Sequence, residues 1–211
     1  MMPVMDGITL CKQLKDDVRT SHIPIILLTA KDSLQDKEEG YEVGADSYLT
    51  KPFSASLLRS RINNLLDSRK KLVAQFQAQS TPGSQIDLSE KRIVIAEALS
   101  KLDNEFIEKI TLLIEENLSS EKIDINYLSD KMCMSGSTLY RKMKALTGLS
   151  TNEYIRKVKM KNAERLLLEG KFNISEIAYK VGMNSTGYFR QCFKEEFGLS
   201  PSDYLKQIKQ S

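Results

Sequence analysis

The stretch IDINYLSDKMCMSGSTLYRKMKALTG, residues 123–148, decides the fold of the carboxyl-terminal half of the chain. Its pattern predicts two short helices joined by a tight turn. Asp124 can cap the first helix, Ser135 can cap the second, and Gly148 supplies a left-handed stop. Apolar residues recur at helical spacing on one side of each helix, namely Ile125, Leu128 and Met132, then Leu139, Met143 and Leu146. Each helix therefore has one face to bury.

The opposite face of the second helix is polar, basic and aromatic. It carries Ser137, Tyr140, Arg141 and Lys144. A helix that reads base edges in the major groove of DNA needs such a face. An ordinary helical hairpin with a solvated charged surface has the same pattern, so one copy of the motif does not decide between the two interpretations.

A second copy follows as NISEIAYKVGMNSTGYFRQCFKEEFG, residues 173–198. With one extra residue in the turn, the aligned pairs are Ile125 with Ile174, Leu128 with Ile177, Met134 with Met183, Leu139 with Phe189, Met143 with Phe193, and Gly148 with Gly198. The match continues in GLSTNEYI and GLSPSDYL, residues 148–155 and 198–205. The period is about fifty residues and has two copies, whereas a solenoid needs at least three. A duplicated helix-turn-helix is therefore predicted.

The segment between the copies predicts one long helix. Ser150 and Glu153 form a capping box, and the helical pattern runs to Gly170. Such a helix spans on the order of 27 Å, close to the roughly 34 Å between successive major grooves on one side of DNA. It could hold two reading helices over adjacent grooves. Its basic residues could contact phosphates, namely Arg156, Lys157, Lys159, Lys161 and Arg165, although a solvated basic face explains some of them equally well.

Residues 100–211 resemble the AraC-type DNA-binding domain, a family of paired helix-turn-helix transcriptional regulators. The resemblance is carried by MSGSTLYRKMKALTGLSTNEYIRKVKM and ISEIAYKVGMNSTGYFRQCFKEEFGLSPSDYLK. It implies double-stranded DNA as the partner. The implied base-contacting residues are Ser137, Tyr140 and Arg141 in the first reading helix and Thr186, Gly187, Arg190 and Gln191 in the second. Arg141 is the strongest candidate, because a bidentate guanidinium on guanine is the commonest specific contact.

Composition sets modest bounds. A chain of 211 residues with 41% hydrophobic content fits one or two ordinary domains, and its net charge of +3 does not by itself indicate nucleic acid. No apolar run reaches membrane-spanning length, and no signal peptide is visible. Cys11, Cys133 and Cys192 lack metal-ligand spacing and suggest reduced thiols in a cytoplasmic protein. With His22 as the only histidine, no catalytic triad is expected and the chain is not expected to be an enzyme.

The first seventy residues follow a different pattern. The apolar run IPIILLTA, residues 23–30, is typical of a buried parallel strand, and residues 46–50 suggest a second, shorter strand. Helical patterns alternate with them at residues 8–15, 34–43 and 55–66. This alternation indicates an α/β fold.

Three landmarks in this part resemble a response-regulator receiver domain: MMPVMDG at residues 1–7, LLTA at 27–30 and YLTKPF at 48–53. The resemblance implies that Thr29 and Lys51 contact a phosphoryl group and that Tyr48 is the switching aromatic. It also implies a cis bond between Lys51 and Pro52. The predicted fold is therefore a partial α/β receiver, a parallel-sheet fragment, followed by an all-α double helix-turn-helix domain.

In the receiver family, the phosphoacceptor aspartate ends the strand before the MMP run, and the metal-binding acids follow the first strand. Asp6 lies instead on the loop into the next helix. We therefore expect no phosphoacceptor, no metal ligands and no cofactor in this chain, since magnesium belongs only to an intact receiver. Receivers fused to AraC-type domains resemble the carboxyl-terminal part of hybrid two-component sensors. We expect the chain to be the tail of such a protein, with Met1 and Met2 internal and a histidine kinase as partner.

The chain divides into a partial receiver at residues 1–70, a helical extension and linker at 71–99, and the DNA-binding domain at 100–211 with its motifs at 123–148 and 173–198. The helix that starts near Ser54 is expected to continue through SRKKLVAQFQAQ, and STPGS at 80–84 is expected to be a linker. Residues 86–98 fit a strand, a helix or a docking segment. Asp103 is expected to cap a core helix that packs on the first helix-turn-helix.

Together these features predict a sequence-specific DNA-binding transcriptional regulator that is the output module of a two-component phosphorelay. In the intact protein, receiver phosphorylation would change homodimerisation and so the affinity for paired sites. The alternative is a signalling interaction module, whose receiver-like half docks a partner and whose DNA binding is weak or vestigial. Gly136 and Gly187 offer no side chain for base readout, which keeps this alternative open.

Overall fold

The computed structural model describes residues 5–30, 42–78, 100–120 and 123–210. Its elements in chain order are α1 (Gly7–Asp16), β1 (Ile26–Thr29), β2 (Ser47–Thr50), α2 (Ala55–Ala78), α3 (Lys101–Glu116), α4 (Ile125–Lys131), α5 (Gly136–Thr147), α6 (Thr151–Glu169), α7 (Ile174–Lys180), α8 (Thr186–Phe197) and α9 (Pro201–Gln210). Most of the helix predicted at residues 34–43 lies outside the described residues. So do the linker predicted at 80–84 and the undecided segment 86–98.

The amino-terminal part is the predicted α/β fragment. β1 and β2 pair in parallel, with Ile26 beside Ser47. The bond between Lys51 and Pro52 is cis, as the receiver resemblance implies. α2 is one continuous helix that passes residue 70, so the helical extension predicted after Ser54 is confirmed.

The first helix-turn-helix packs α3, α4, α5 and the start of α6 around one apolar core. The core residues come from all four helices and the segment before α4: Phe106, Ile110, Ile114, Ile123, Leu128, Leu139, Met143, Leu146, Tyr154, Ile155 and Val158. The prediction that the helix around residue 106 packs on this motif is confirmed.

The predicted cap of α3 is wrong. Ser100 caps this helix, because its side chain accepts a hydrogen bond from the backbone N–H of Asp103. Asp103 already lies within the first helical turn, where its carboxylate cannot serve as the cap. Its side chain is buried instead, at 1% exposure.

The second helix-turn-helix packs the end of α6 with α7, α8 and α9 around a separate core. Its buried residues are Met160, Ala163, Leu167, Ile177, Ala178, Val181, Met183, Phe189, Cys192, Phe193, Phe197 and Tyr204. The rings of Phe193 and Phe197 lie 4.4 Å apart, and Tyr204 meets Phe193 edge-on. The long helix α6 therefore contributes to both cores.

The two motifs are built alike, which confirms the predicted duplication. Leu139 and Phe189 are both buried, as are Met143 and Phe193, at the aligned positions of α5 and α8. Both helices end in a left-handed glycine, Gly148 in the first and Gly198 in the second. The predicted caps Asp124 and Ser135, the Ser150 and Glu153 capping box, and the stop at Gly170 are also present.

Candidate nucleic-acid interface

The first reading helix, α5, is held by its buried stripe. Leu139 and Met143 are fully buried and Leu146 is 2% exposed. At its start, the side chain of Ser135 accepts a hydrogen bond from the backbone N–H of Thr138. The turn before it is tight, because Cys133 adopts a positive φ of 51°. One face of α5 is thus fixed against the core, and the other is presented outward.

The outward face of α5 carries the four residues predicted to read DNA. Ser137, Tyr140, Arg141 and Lys144 are all exposed, Tyr140 at 44%. The Nε of Arg141 donates to the carbonyl oxygen of Ser137 at 3.3 Å, which orients the guanidinium along the helix surface. Hydroxyl, phenol, guanidinium and ammonium donors therefore lie together on one face, as base and phosphate contacts require.

The second reading helix, α8, is placed in the same way. Gly187, Arg190 and Gln191 are exposed, and Thr186 is half-buried in the first turn. The amide of Gln191 donates to Glu195 at 3.0 Å, so this side chain already has a partner along the helix. All four predicted residues belong to the first turns of α8, but Thr186 is less accessible than the other three.

Two further side chains of α8 are exposed. Lys194 is exposed one turn after Arg190, and Tyr188 is 52% exposed. The sequence prediction omitted both. The repeat alignment contained the signal for Lys194, because this residue aligns with Lys144 of the first copy.

The five basic residues of α6 divide into an exposed group and a buried pair. Arg156, Lys161 and Arg165 are exposed, as phosphate contacts require. Lys157 and Lys159 are buried, at 8% and 7% exposure, so the prediction that they meet phosphates is corrected. The physical reason is that α6 packs against both cores, which cover most of its surface.

The two buried lysines, Lys157 and Lys159, interact with other residues of the chain. The ammonium of Lys159 donates to the carbonyl oxygen of Gly182 at 3.3 Å, in the turn between α7 and α8. Burial lowers the pKa of Lys157, and Glu196 partly offsets this effect. Arg156, although exposed, lies 3.8 Å from Glu195 and so links α6 to α8. A pair this exposed contributes little to stability, because solvent screens it.

Thr29 and Lys51 lie at the carboxyl ends of the two strands. The backbone N–H of Lys51 donates to the carbonyl oxygen of Thr29 at 2.7 Å, so these two predicted phosphoryl contacts are neighbours at one sheet edge. Tyr48 is buried at 8% exposure. Asp6 caps α1 by accepting from the backbone N–H of Thr9 at 2.7 Å, which agrees with its predicted place at the start of that helix.

Among the described residues, no group of three or more His, Cys, Asp or Glu side chains could hold a metal ion. Within the same ranges, no helix is both long and apolar enough to cross a bilayer.

Two family models match the chain. One, described as a response regulator receiver domain, matches residues 1–63, and the other, described as a helix-turn-helix domain, matches residues 128–207. Histidine kinase P4 of Formosa agariphila is 39% identical over all 211 residues. Response regulator PleD of Caulobacter vibrioides is 40% identical over 118 residues, 56% of this chain.

The chain spans 15% of the length of Histidine kinase P4 and 24% of that of PleD. One similar solved structure is the carboxyl-terminal domain of AraT, a response regulator from Geobacillus stearothermophilus. It is 27% identical, and the match covers 48% of this chain and 84% of that domain with a TM-score of 0.45.

Proposed function

Because the chain carries a receiver segment followed by a helix-turn-helix domain of the AraC type, we propose that it is a sequence-specific DNA-binding regulator, the output part of a two-component phosphorelay. Two reading helices would enter successive major grooves of double-stranded DNA. In the whole protein, a histidine kinase would supply the signal, and homodimerisation would raise the affinity for paired sites.

The observation that carries this proposal is the exposed face of α5. Its inner side chains are fully buried, so the helix is rigid, while Ser137, Tyr140, Arg141 and Lys144 all face solvent. A rigid helix with convergent donors can read base edges, because its side chains need little reorganisation on binding.

The long helix α6 supports a bipartite site. Its 19 residues span roughly 28 Å. Because the helix packs into both cores, it can hold α5 and α8 at a fixed separation. Arg156 and Lys161 are exposed on it, and we assign them to phosphate contacts. Such contacts add affinity that depends on salt and not on sequence.

The first test is selection from a random duplex pool at near-physiological salt, using the full chain. We expect a motif of two boxes about one helical turn apart. Recovery of no motif, with only salt-sensitive general binding, would contradict sequence-specific reading. That result would favour the signalling interaction module, in which the receiver segment docks a partner.

The second test uses Arg141→Ala on the selected duplex. Loss of a bidentate base contact should weaken binding by about 1 to 3 kcal/mol and relax the preference at one base position. Arg59→Ala, an exposed arginine on α2, is the matched control and should bind as the unaltered chain does. Equal affinities for the two variants would remove Arg141 from the proposed contact set.

A further inference from the structure

The first reading helix, α5, carries a buried lysine on its inner side. This residue, Lys142, is fully buried, although the other charged residues of α5 face solvent. Its ammonium donates to the carboxylate of Asp103 at 2.6 Å, to the hydroxyl of Ser21 at 2.8 Å and to the carbonyl oxygen of Val18. These three acceptors account for all three protons of the ammonium.

Two of the three acceptors belong to the receiver segment. Val18 and Ser21 lie in the loop after α1, residues 17–22, whereas Asp103 belongs to α3. Ser21 also donates to Asp103 at 2.7 Å, across 82 positions of sequence, and both are 1% exposed. Val18 packs against the core of the first helix-turn-helix, and α2 packs against α5. The receiver segment therefore packs on the inner side of α5, where Lys142 lies.

Because this charge is buried, its hydrogen bonds to the loop matter for stability. A buried ammonium costs several kcal/mol unless it is paired and fully hydrogen-bonded. Burial lowers the pKa of Lys142, and the hydrogen bond to Asp103 offsets that effect only in part. Without the loop, Asp103 would be the only one of the three acceptors left. Water entering the space left by the loop would then have to replace the other two acceptors, and α5 would lose the packing of Val18 against its core.

The docked loop leaves the reading face open. Arg141 precedes Lys142 directly and Lys144 follows it by two positions, and both are exposed, as are Ser137 and Tyr140. The receiver segment thus supports α5 from behind and does not cover the residues assigned to DNA. The receiver segment can therefore affect the position of α5 without blocking access to its exposed face.

We propose that Lys142 is a positioning residue that couples the receiver segment to the first reading helix. Docking of the loop at residues 17–22 on Lys142 holds α5 in its DNA-reading orientation, and undocking loosens α5 and weakens binding to the half of the site that it reads. The DNA part of this inference rests on the proposed function, whereas the coupling itself does not.

The test compares two serine-to-alanine variants of the full chain by hydrogen exchange. Ser21→Ala removes one acceptor of Lys142, and Ser60→Ala makes the same change at an exposed position on α2. We expect Ser21→Ala to speed amide exchange in α5 severalfold, to leave α8 unchanged and to weaken binding to the selected duplex about three- to tenfold. Ser60→Ala should match the unaltered chain in all three measurements.

A double-mutant cycle adds the evidence for coupling. In a Lys142→Met background, Ser21→Ala should change α5 exchange less than it does in the unaltered chain, because the part of its effect that acts through the ammonium is then absent. An unchanged α5 in Ser21→Ala, or an equal effect of Ser21→Ala in both backgrounds, would overturn the proposal. If Lys142→Met does not fold, the comparison of Ser21→Ala with Ser60→Ala decides. If the unaltered chain selects no DNA motif, the proposed function fails, while the exchange measurements still decide the coupling.

Discussion

Gly182 lies where the turn of the second helix-turn-helix motif passes closest to the end of α3. Its φ is +66°, and an added Cβ would lie 2.5 Å from the carbonyl oxygen of Leu118 and 3.0 Å from the ammonium of Lys159. The aligned residue of the first motif is Cys133, which also has a positive φ. The turn therefore requires this backbone conformation in both copies, but only the second copy also requires the absence of a side chain.

Gly182→Ala should lower the free energy of unfolding by at least roughly 2 kcal/mol, from left-handed strain and the clash with backbone. Gly187→Ala is the matched control, because its Cβ would meet only the Ser185 hydroxyl at 3.7 Å. It lies in a helix, so it should be neutral or stabilise by about 0.5 to 1 kcal/mol. Denaturant unfolding measures both, and equal midpoints for the two variants would contradict the close approach.

At the scale of the element, α6 is the helix on which both motifs depend. Its first half contributes Tyr154 and Val158 to one core, and its second half contributes Met160 and Leu167 to the other. Basic residues on its buried side therefore differ in role from those on its exposed side. Lys161 points to solvent, whereas Lys159 reaches the turn at Gly182.

Lys161→Ala and Lys159→Met should separate these roles. Loss of Lys161 should weaken DNA binding uniformly across sequences and reduce the slope of log affinity against log salt by about 1. Loss of Lys159 should lower the thermal midpoint and leave that slope unchanged, because the turn at Gly182 loses a hydrogen bond. Titrations at several salt concentrations, with thermal unfolding of each variant, make the measurement. A lower salt slope in Lys159→Met would contradict its structural role.

At the scale of the whole molecule, the receiver segment and the DNA-binding part meet at a buried polar junction. Lys142 and Asp103 form its ion pair, and His22 lies beside them. Burial, then the charge of Lys142, lowers the pKa of His22 from 6.5 to about 4, with Arg69 and Lys15 adding to the effect and Asp103 opposing it. Its Nδ1 is buried without a hydrogen-bond partner among the described residues.

The stability of the chain should therefore fall as pH drops from about 6.5 to 4. The folded state binds the His22 proton more weakly than the unfolded state, so the stabilisation is complete above pH 6.5 and is lost toward the folded pKa. The loss should be at most roughly 3 kcal/mol. His22→Gln should flatten the curve in this window, while acid loss of the Asp103 pair remains at lower pH. Urea unfolding at several pH values checks both, and an unchanged slope in the variant would contradict the assignment.

Much of the DNA-binding fold was predictable because its signals are local. A cap acts within three or four residues, and a buried stripe recurs every third or fourth residue. Asp124, Ser135 and Gly148 were therefore recognised from sequence, and the structure confirms them. The outward face of α5, opposite that stripe, followed from the same periodicity. The phosphoryl-contact role of Thr29 and Lys51 remains a prediction from the receiver resemblance.

Local pattern did not determine which charged residues are buried. In sequence, Lys157 and Lys159 cannot be told from the exposed Lys161, and Asp103 resembles a helix cap. Lys157, Lys159 and Asp103 are nevertheless buried, because segments distant in the chain pack over them. The junction of Ser21, Asp103 and Lys142 joins three segments that share no sequence signal. The sequence by itself determined the helices of the two helix-turn-helix motifs, the caps of α4 and α5 and the outward face of α5, since these depend on contacts a few residues apart. Only the tertiary structure decided how α6 is buried and how the receiver segment braces α5, because burial of a charge depends on which distant segments supply its partners.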